Sequence, residues 1–471
     1  MFRLARATRV SVATPTRLSR GGISRSLPPA GAEGDAPAVP KRPHVDGRRQ
    51  FSDIPDGMET VERVVTDEKI AAFRASIANE LMLAPLTKGG NLPFRRLCVE
   101  RFGCNVTVSE MVFARYALKR NPVELARLRR HESEKIFGVQ IATNQIAEGV
   151  NAGRLAFESG ADFLDLNCGC PIHETWKRGL GAKLLKKPAK LERLVRGIAD
   201  GVPLPLTVKI RLGAGASEAP AAALAEACQN AGAAAVIIHG RTKEQRYTRA
   251  ANWNLIGEIR EKSSIPVVGN GDILTWYEHR NRLEQSGAFA TMTGRGALIK
   301  PWIFKEKNDG AEWDPTAEER VGVYLTLCGF FKEHFRADEL GKKRYMEFMP
   351  WHFGFFCRYR PLPETVYGAM AREHPLLQTR LGVVESAAIA AAESRRLSPL
   401  DRLLRVELEE CHARLSEALW DADADPGRAV ELFKAMTTDG SLERWEDEER
   451  AERARSRDPD ASIGAGDAVR G

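Results

Sequence analysis

The chain has 471 residues, 43% hydrophobic and 28% charged, which supports two or three folding units and excludes general disorder. Its formal charge of +7 sits in residues 1–50, which hold 10 Lys and Arg against 3 Asp and Glu, while the remainder balances at 60 against 60; net charge therefore says nothing about a polyanion partner of the folded body. No apolar stretch approaches the roughly 18 residues of a membrane span, Arg interrupts the N-terminus too often for a secretory signal, and eight cysteines spread from Cys98 to Cys411 point to a reducing compartment rather than a disulfide scaffold.

Residues 1–32 contain six Arg, four Ser, three Thr and no acidic residue, a composition resembling an import sequence for the mitochondrion or another organelle. A basic arm on a cytoplasmic or nuclear protein is the alternative. The whole of residues 1–50 reads as a disordered basic arm ending in a Pro-rich linker, and residues 51–80 read as a lead-in segment. Eight short β-branched or apolar runs follow: LMLAPLT (81–87), NVTVSE (105–110), FGVQIA (137–142), FLDLNC (163–168), LTVKIR (206–211), AVIIHG (235–240), PVVGNG (266–271) and ATMTGRG (290–296). Each is separated from the next by enough chain for a helix. Alternating strands and helices imply an α/β fold with a parallel sheet, and eight units over 81–305 predict a (β/α)8 TIM barrel. A doubly wound sheet is disfavoured because the first turn, PLTKGGN, lacks a GxGxxG fingerprint. Beyond it, apolar spacing of three and four residues predicts a C-terminal α-helical domain over 315–436, then a solvated charged tail over 437–471. No internal repeat beyond the βα alternation and no zinc-finger spacing is present.

Polar residues collect at the ends of the runs, where a barrel builds its catalytic face. The seventh and eighth runs end in GNGD (269–272) and TGRGAL (293–298). Paired Gly-rich turns there suit a phosphate-bearing ligand, aided by Arg295 and a helix N-terminus, although each turn alone would be ordinary. Lys209 and Arg211 stand two apart, so they point to one side of the fifth strand, and His239 ends the sixth. Cations over the mouth suit an electron-rich ring whose reduced state is anionic; taken singly they would be structural. The loop DLNCGCPIHETWKRGLGAKLL (165–185) carries Cys168 and Cys170. Cys170, before Pro171 and beyond a strand end, is placed to donate a proton or attack, while C-x-C supplies too few ligands for a metal site.

In order and spacing, LAPLT, FGVQ, DLNCGCPI, LTVKIR, IHGRTKEQRYT, GNGDI and GRGALIKPWIF, across 81–304, resemble the tRNA-dihydrouridine synthases. HGRTKEQRYT and CRYRP (357–361) look closest to the eukaryotic branch that acts on the uridine at position 47 of the tRNA variable loop. The resemblance implies an FMN-holding barrel followed by a helical domain that grips tRNA. By motif position Pro85, Leu86, Thr87, Gln140, Lys209, His239, Asn270, Gly271, Asp272, Gly294 and Arg295 would line the flavin, Cys170 would be the proton donor, and Asn167 and Arg211 would support the site. The implied reaction takes hydride from NADPH or NADH to the flavin and on to C6 of the uracil, while Cys170 protonates C5. The uridine would have to be turned out of its stack, with Lys209, Arg211 or His239 stabilising the developing enolate.

The chain departs from the family pattern at Cys168, which gives two candidate thiols beside the GCP motif, at Lys183, where many members carry a small residue or Cys, in lacking N-terminal zinc fingers, and over 385–425, which matches nothing in the family. RNA contact is expected from Lys342, Lys343 and Arg344 in GKKRY and from Arg358 and Arg360 in CRYRP; the Arg-rich run 119–135 reads as a solvated face. No metal and no membrane partner is expected, and no pattern points to an oligomeric state. An FMN-dependent reductase of a free pyrimidine is the alternative function, disfavoured by the Arg-bearing helical extension.

Overall fold

The computed structural model describes residues 63–378 and 397–457; the import-like segment, the linker and residues 385–396 lie outside the described residues. Each of the eight runs carries a strand. In chain order they are β1 (Leu81–Leu83), β2 (Val106–Val108), the two-residue β3 (Val112–Phe113), β4 (Ile136–Ala142), β5 (Phe163–Cys168), β6 (Leu206–Arg211), β7 (Ala235–His239), β8 (Val267–Asn270) and β9 (Ala290–Thr293). All pairings are parallel, in the order β1-β9-β8-β7-β6-β5-β4-β2, with β3 an unforeseen extension pairing beside β4. β1 lies next to β2 and so brings the ends of the sheet together. No ladder joins these two strands; Asn105 instead donates from Nδ2 to Glu80 Oε1 at 2.9 Å across the seam. The result is a nearly closed eight-stranded barrel wrapped in helices, as the alternation predicted.

Strand alternation then sorts the side chains. Met82, Val106, Val108, Phe163, Ala235, Ile237, Val268, Ala290 and Met292, from six strands, pack in one cluster, which only a barrel interior allows. The helix Asp67–Ile77 closes the N-terminal end of the strands through Ile70, Phe73 and Ile77, with the Phe73 and Phe163 rings 4.9 Å apart. Residues of opposite parity, such as Leu164, Leu166, Val208 and Ile238, pack outward under the surrounding helices. Gly138 is required by this packing, because a Cβ there would come 2.2 Å from the Phe163 ring.

The helical region begins at Ala317–Phe335, opened by a capping box in which Thr316 and Glu319 satisfy each other's backbone N–H groups. It packs on the barrel helix Leu92–Glu100. Farther on, Tyr277 of the barrel helix Trp276–Ser286 donates to the Leu362 carbonyl at 3.0 Å, and Glu278 accepts from Leu376 N at 2.9 Å. The part of the unmatched 385–425 stretch that is described contributes Leu400, Leu403, Cys411, Leu415 and Leu419 to the core, and its helix Glu409–Asp421 lies against Met349–Phe356. The charged helix Ser441–Arg457 differs from the solvated tail expected: Leu442 and Trp445, three apart on one face, are buried. Among the described residues no helix is long and apolar enough to cross a membrane.

Candidate active site at the barrel mouth

With a period of two, an apolar inward row at the base of a strand becomes polar only where the sequence changes character near its C-terminal end. β4, β5, β7 and β8 do so, whereas the inward row of β6, Thr207, Lys209 and Arg211, is polar throughout. Parallel register sets Gln140 opposite Asp165, Asn167 opposite Lys209, Arg211 opposite His239, and His239 opposite Asn270. The sequence-predicted residues therefore form a continuous band around the mouth, and hydrogen bonds link them. Gln140 donates from Nε2 to Asp165 Oδ2 at 2.6 Å and accepts from Asn167 Nδ2 at 2.7 Å. Thr207 donates to the other Asp165 oxygen at 2.6 Å. Lys209 Nζ donates to Asn270 Oδ1 at 2.8 Å, and Asn270 Nδ2 donates to the Met292 carbonyl at 2.7 Å.

Asn167 also builds the cysteine loop. Its Oδ1 accepts from Gly169 N at 3.2 Å and Cys170 N at 2.9 Å, while Arg211 Nε donates to the Gly169 carbonyl at 2.8 Å. Of the eight cysteines Cys170 alone is not buried. Cys168, on the outward parity, lies in the core with the pKa of its thiol held well above its ordinary value by burial, so of the two thiols beside this loop only Cys170 is partly exposed. The helix His173–Lys177 beyond it is clamped by Arg178, which donates to Tyr116 Oη at 2.5 Å and lies 5.3 Å from the Phe113 ring.

On the opposite rim, the GNGD turn places Gly271 at φ +131° and Asp272 at φ +53°. At Gly271 a Cβ would also come within 2.7 Å of Ala251 Cβ, so glycine is needed both for conformation and for space. Asp272 is fully buried and ion-pairs with Arg241, and it accepts from Arg295 Nη2 at 2.9 Å and from Ala251 N at 2.8 Å. The Arg295 guanidinium lies 3.9 Å from the Tyr247 ring centroid. Gly294 abuts the first loop, since a Cβ there would meet Leu86 Cδ2 at 3.1 Å. Pro85 and Leu86 are half-buried and Thr87 is exposed. The helix after Gly294, Arg295–Ile299, has only five residues, so Arg295 rather than a helix terminus carries the positive charge there.

Burial above all, and then four cations, Arg211, Lys209, Arg241 and Arg295, hold the pKa of His239 well below its ordinary value. Its imidazole is neutral, and because Arg241 can only donate, Nε2 accepts from it at 3.3 Å. Burial pushes Asp165 up to about 6 and Lys209 down to about 8, each partly held back by the other. Burial also lowers Arg211 to about 10. Against these four cations stand the carboxylates of Asp165 and Asp272, and Glu110 at the end of β2, so this group of residues still carries a surplus of positive charge. Residues 82–354 match the family described as dihydrouridine synthase.

The chain belongs to the dihydrouridine synthase family. It is similar to the tRNA-dihydrouridine(47) synthase [NAD(P)(+)]-like proteins of Rattus norvegicus, 39% identical over 67% of this chain and 50% of the relative, and of Homo sapiens, 39% identical over 65% and 47%. The chain thus spans about half the length of the curated relatives it matches. Among solved structures, a histamine dehydrogenase from Rhizobium sp. 4-9 aligns over 54% of this chain and 49% of that one at 14% identity, with a TM-score of 0.40.

The site also contains residues that the sequence pattern left unassigned: Asp165, Thr207, Arg241 and Tyr247. Asp165 and Thr207 share parity with Asn167 and Lys209, so alternation was the available signal. Arg241 and Tyr247 reach the mouth through the fold of the loop after β7, which no periodicity encodes. The expected RNA contacts separate. Arg358 is exposed, and its charge adds slightly to the lowering of the Arg295 pKa that burial chiefly causes. Arg360 donates to the Cys357 and Tyr359 carbonyls at 2.8 and 2.7 Å. Lys342, Lys343 and Arg344 lie on the helix Glu339–Tyr345, where Lys343 and Arg344 are exposed and Lys342 pairs with Asp421 at 3.0 Å.

Proposed function

We propose that this chain is an FMN-dependent tRNA-dihydrouridine synthase that reduces the C5–C6 double bond of a uridine at position 47, with NADPH or NADH as reductant and Cys170 as proton donor. The observation that carries the reading is a single accessible thiol, fixed by Asn167 at the edge of a mouth rich in cations. The residues present fit FMN: Leu86 and Gly294 meet at one side, Lys209 and Arg295 are partly exposed cations, and the surplus positive charge suits a phosphorylated, anion-forming ring. When bound, FMN would supply the hydride chemistry.

The protein residues have distinct tasks in this reading. Pro85, Leu86, Thr87, Gly271 and Gly294 would shape the flavin site, and Lys209, with ammonium hydrogens to spare beyond Asn270, would hold the ring's anionic edge. Arg295 would hold the phosphate. Asp272 has both oxygens committed to Arg241, Arg295 and Ala251, so it acts by aiming the two guanidiniums. Gln140 and Asn167 transmit the position of β4 and β5 to the Cys170 backbone. The neutral His239 is suited to accept or donate a hydrogen bond without adding charge. Cys170 delivers its proton to C5 of a uracil turned out of its RNA stack, and Arg211, anchored to the Gly169 and Thr242 carbonyls, offers positive charge to the enolate-like oxygen.

The test is direct. The purified protein is expected to be yellow and to release FMN on denaturation. Incubated with NADPH and tRNA carrying U47, it is expected to raise the nucleoside mass by two hydrogens at that position. Cys170→Ala should keep flavin and tRNA affinity but leave the uridine unreduced. Unchanged dihydrouridine in that variant refutes the role of Cys170, and reduction of free uracil without reduction of tRNA favours the free-pyrimidine alternative. The Arg-, Ser- and Thr-rich residues 1–32 support organelle import, which a reporter fused to them tests by where it accumulates.

A further inference from the structure

Beside the cysteine loop, three lysines converge on one indole. Lys183 Nζ, Lys186 Nζ and Lys243 Nζ lie 4.6, 5.1 and 4.3 Å from the centroid of the Trp176 ring. Any two of these ammonium groups are therefore within about 10 Å of each other, the Debye length at about 0.1 M salt, and repel one another. None is ion-paired with a carboxylate among the described residues. Cation–π attraction offsets part of the repulsion but leaves an uncompensated positive patch.

The patch is built from separate segments. Trp176 stands on the short helix after Cys170, Lys183 and Lys186 on the 3-10 helix Gly181–Lys186, and Lys243 on the loop after β7. Both sources are tied to the reacting thiol. Ala182 N donates to the Cys170 carbonyl at 3.1 Å, and Arg211 bridges Gly169 to Thr242, the neighbour of Lys243, through Nε and Nη1 at 2.8 and 3.1 Å. Lys183 also stands close to a position at which the chain departs from the family pattern.

We infer that Trp176, Lys183, Lys186 and Lys243 form a platform for backbone phosphates of the nucleotides flanking the target uridine, so that the barrel rim itself, beside the helical region, grips the RNA. This rests on the proposed RNA substrate. A base extruded toward Cys170 carries its own phosphates across this rim, and three unpaired ammonium groups with an adjacent indole match an anionic, stackable chain.

The test compares the full chain with its Lys183→Gln/Lys186→Gln/Lys243→Gln variant, using a tRNA transcript containing U47 and fluorescence anisotropy from 50 to 200 mM salt. If each lysine neutralises one phosphate at about 0.7 counterions per contact, the parent should lose about 20-fold more affinity over that range than the variant. Flavin content and the rate of flavin reduction by NADPH should not change. Trp176→Leu should weaken binding at every salt concentration. An unaltered salt slope overturns the inference, as does a defect confined to the KM for NADPH, which would assign the lysines to the reductant's phosphate. A parent chain that binds no tRNA overturns the functional reading as well.

Discussion

Lys209 Nζ donates to Asn270 Oδ1 at 2.8 Å across β7, tying β6 to β8 at the level of His239. The Asn270 amide cannot rotate without losing the Met292 carbonyl, so it fixes the lysine's direction. Asn270→Ala is expected to weaken FMN retention by about tenfold, the equivalent of about 1.4 kcal/mol. Lys209→Met should lose more, because it also leaves Asp165 without its cation. Flavin absorbance per mole of purified protein reads both effects; full occupancy in Lys209→Met would refute the assignment.

Thiol titration separates Cys170 from Cys168. One of the eight thiols is expected to react rapidly in the native protein and all eight in denaturant, since only Cys170 is not buried. Cys170→Ala should abolish the fast phase. Cys168→Ala should retain it and cost about 1 kcal/mol of stability through the small cavity left outside β5. Two fast-reacting thiols in the parent would contradict the burial of Cys168.

Acid stability should depend on His352. Both ring nitrogens lack a hydrogen-bond partner among the described residues, the ring lies 4.9 Å from Phe94, and burial lowers its pKa to about 3. The native state therefore binds fewer protons than the unfolded state between about pH 3 and 6.5. The neutral ring's contribution is intact above pH 6.5 and lost as pH falls below it. His352→Phe is expected to stabilise the protein by about 1–3 kcal/mol and to make the acid limb of a pH–stability curve shallower. An unchanged limb in chemical denaturation would show that the histidine is not held neutral.

The arginines of CRYRP should behave differently from each other. Arg358→Ala is expected to reduce tRNA affinity and to lower its salt slope by about 0.7–1, the loss of one phosphate contact. Arg360→Ala should chiefly lower thermal stability, because Arg360 braces the Cys357 and Tyr359 carbonyls. Lys342→Ala should affect binding less than Lys343→Ala, since Lys342 is paired with Asp421. Equal effects of Lys342 and Lys343 on the salt slope would overturn that ranking.

The sequence by itself determined the eight main strands and the level of the mouth, because a period of two and the gathering of polar residues at the strand ends are local properties of the chain. The same alternation, followed one step further, puts Asp165 inside with Asn167 and sends Cys168 outward, so both were legible. Tertiary structure alone decided the rest. Asp272 meets Arg241 because a left-handed turn and a long loop bring residues 31 apart into one buried pair. Lysines from two segments meet at Trp176 because parallel pairing of β5, β6 and β7 sets their C-terminal ends side by side and the loops beyond them fold over the rim. Such contacts depend on how loops fold over the mouth, and no spacing along the chain specifies that.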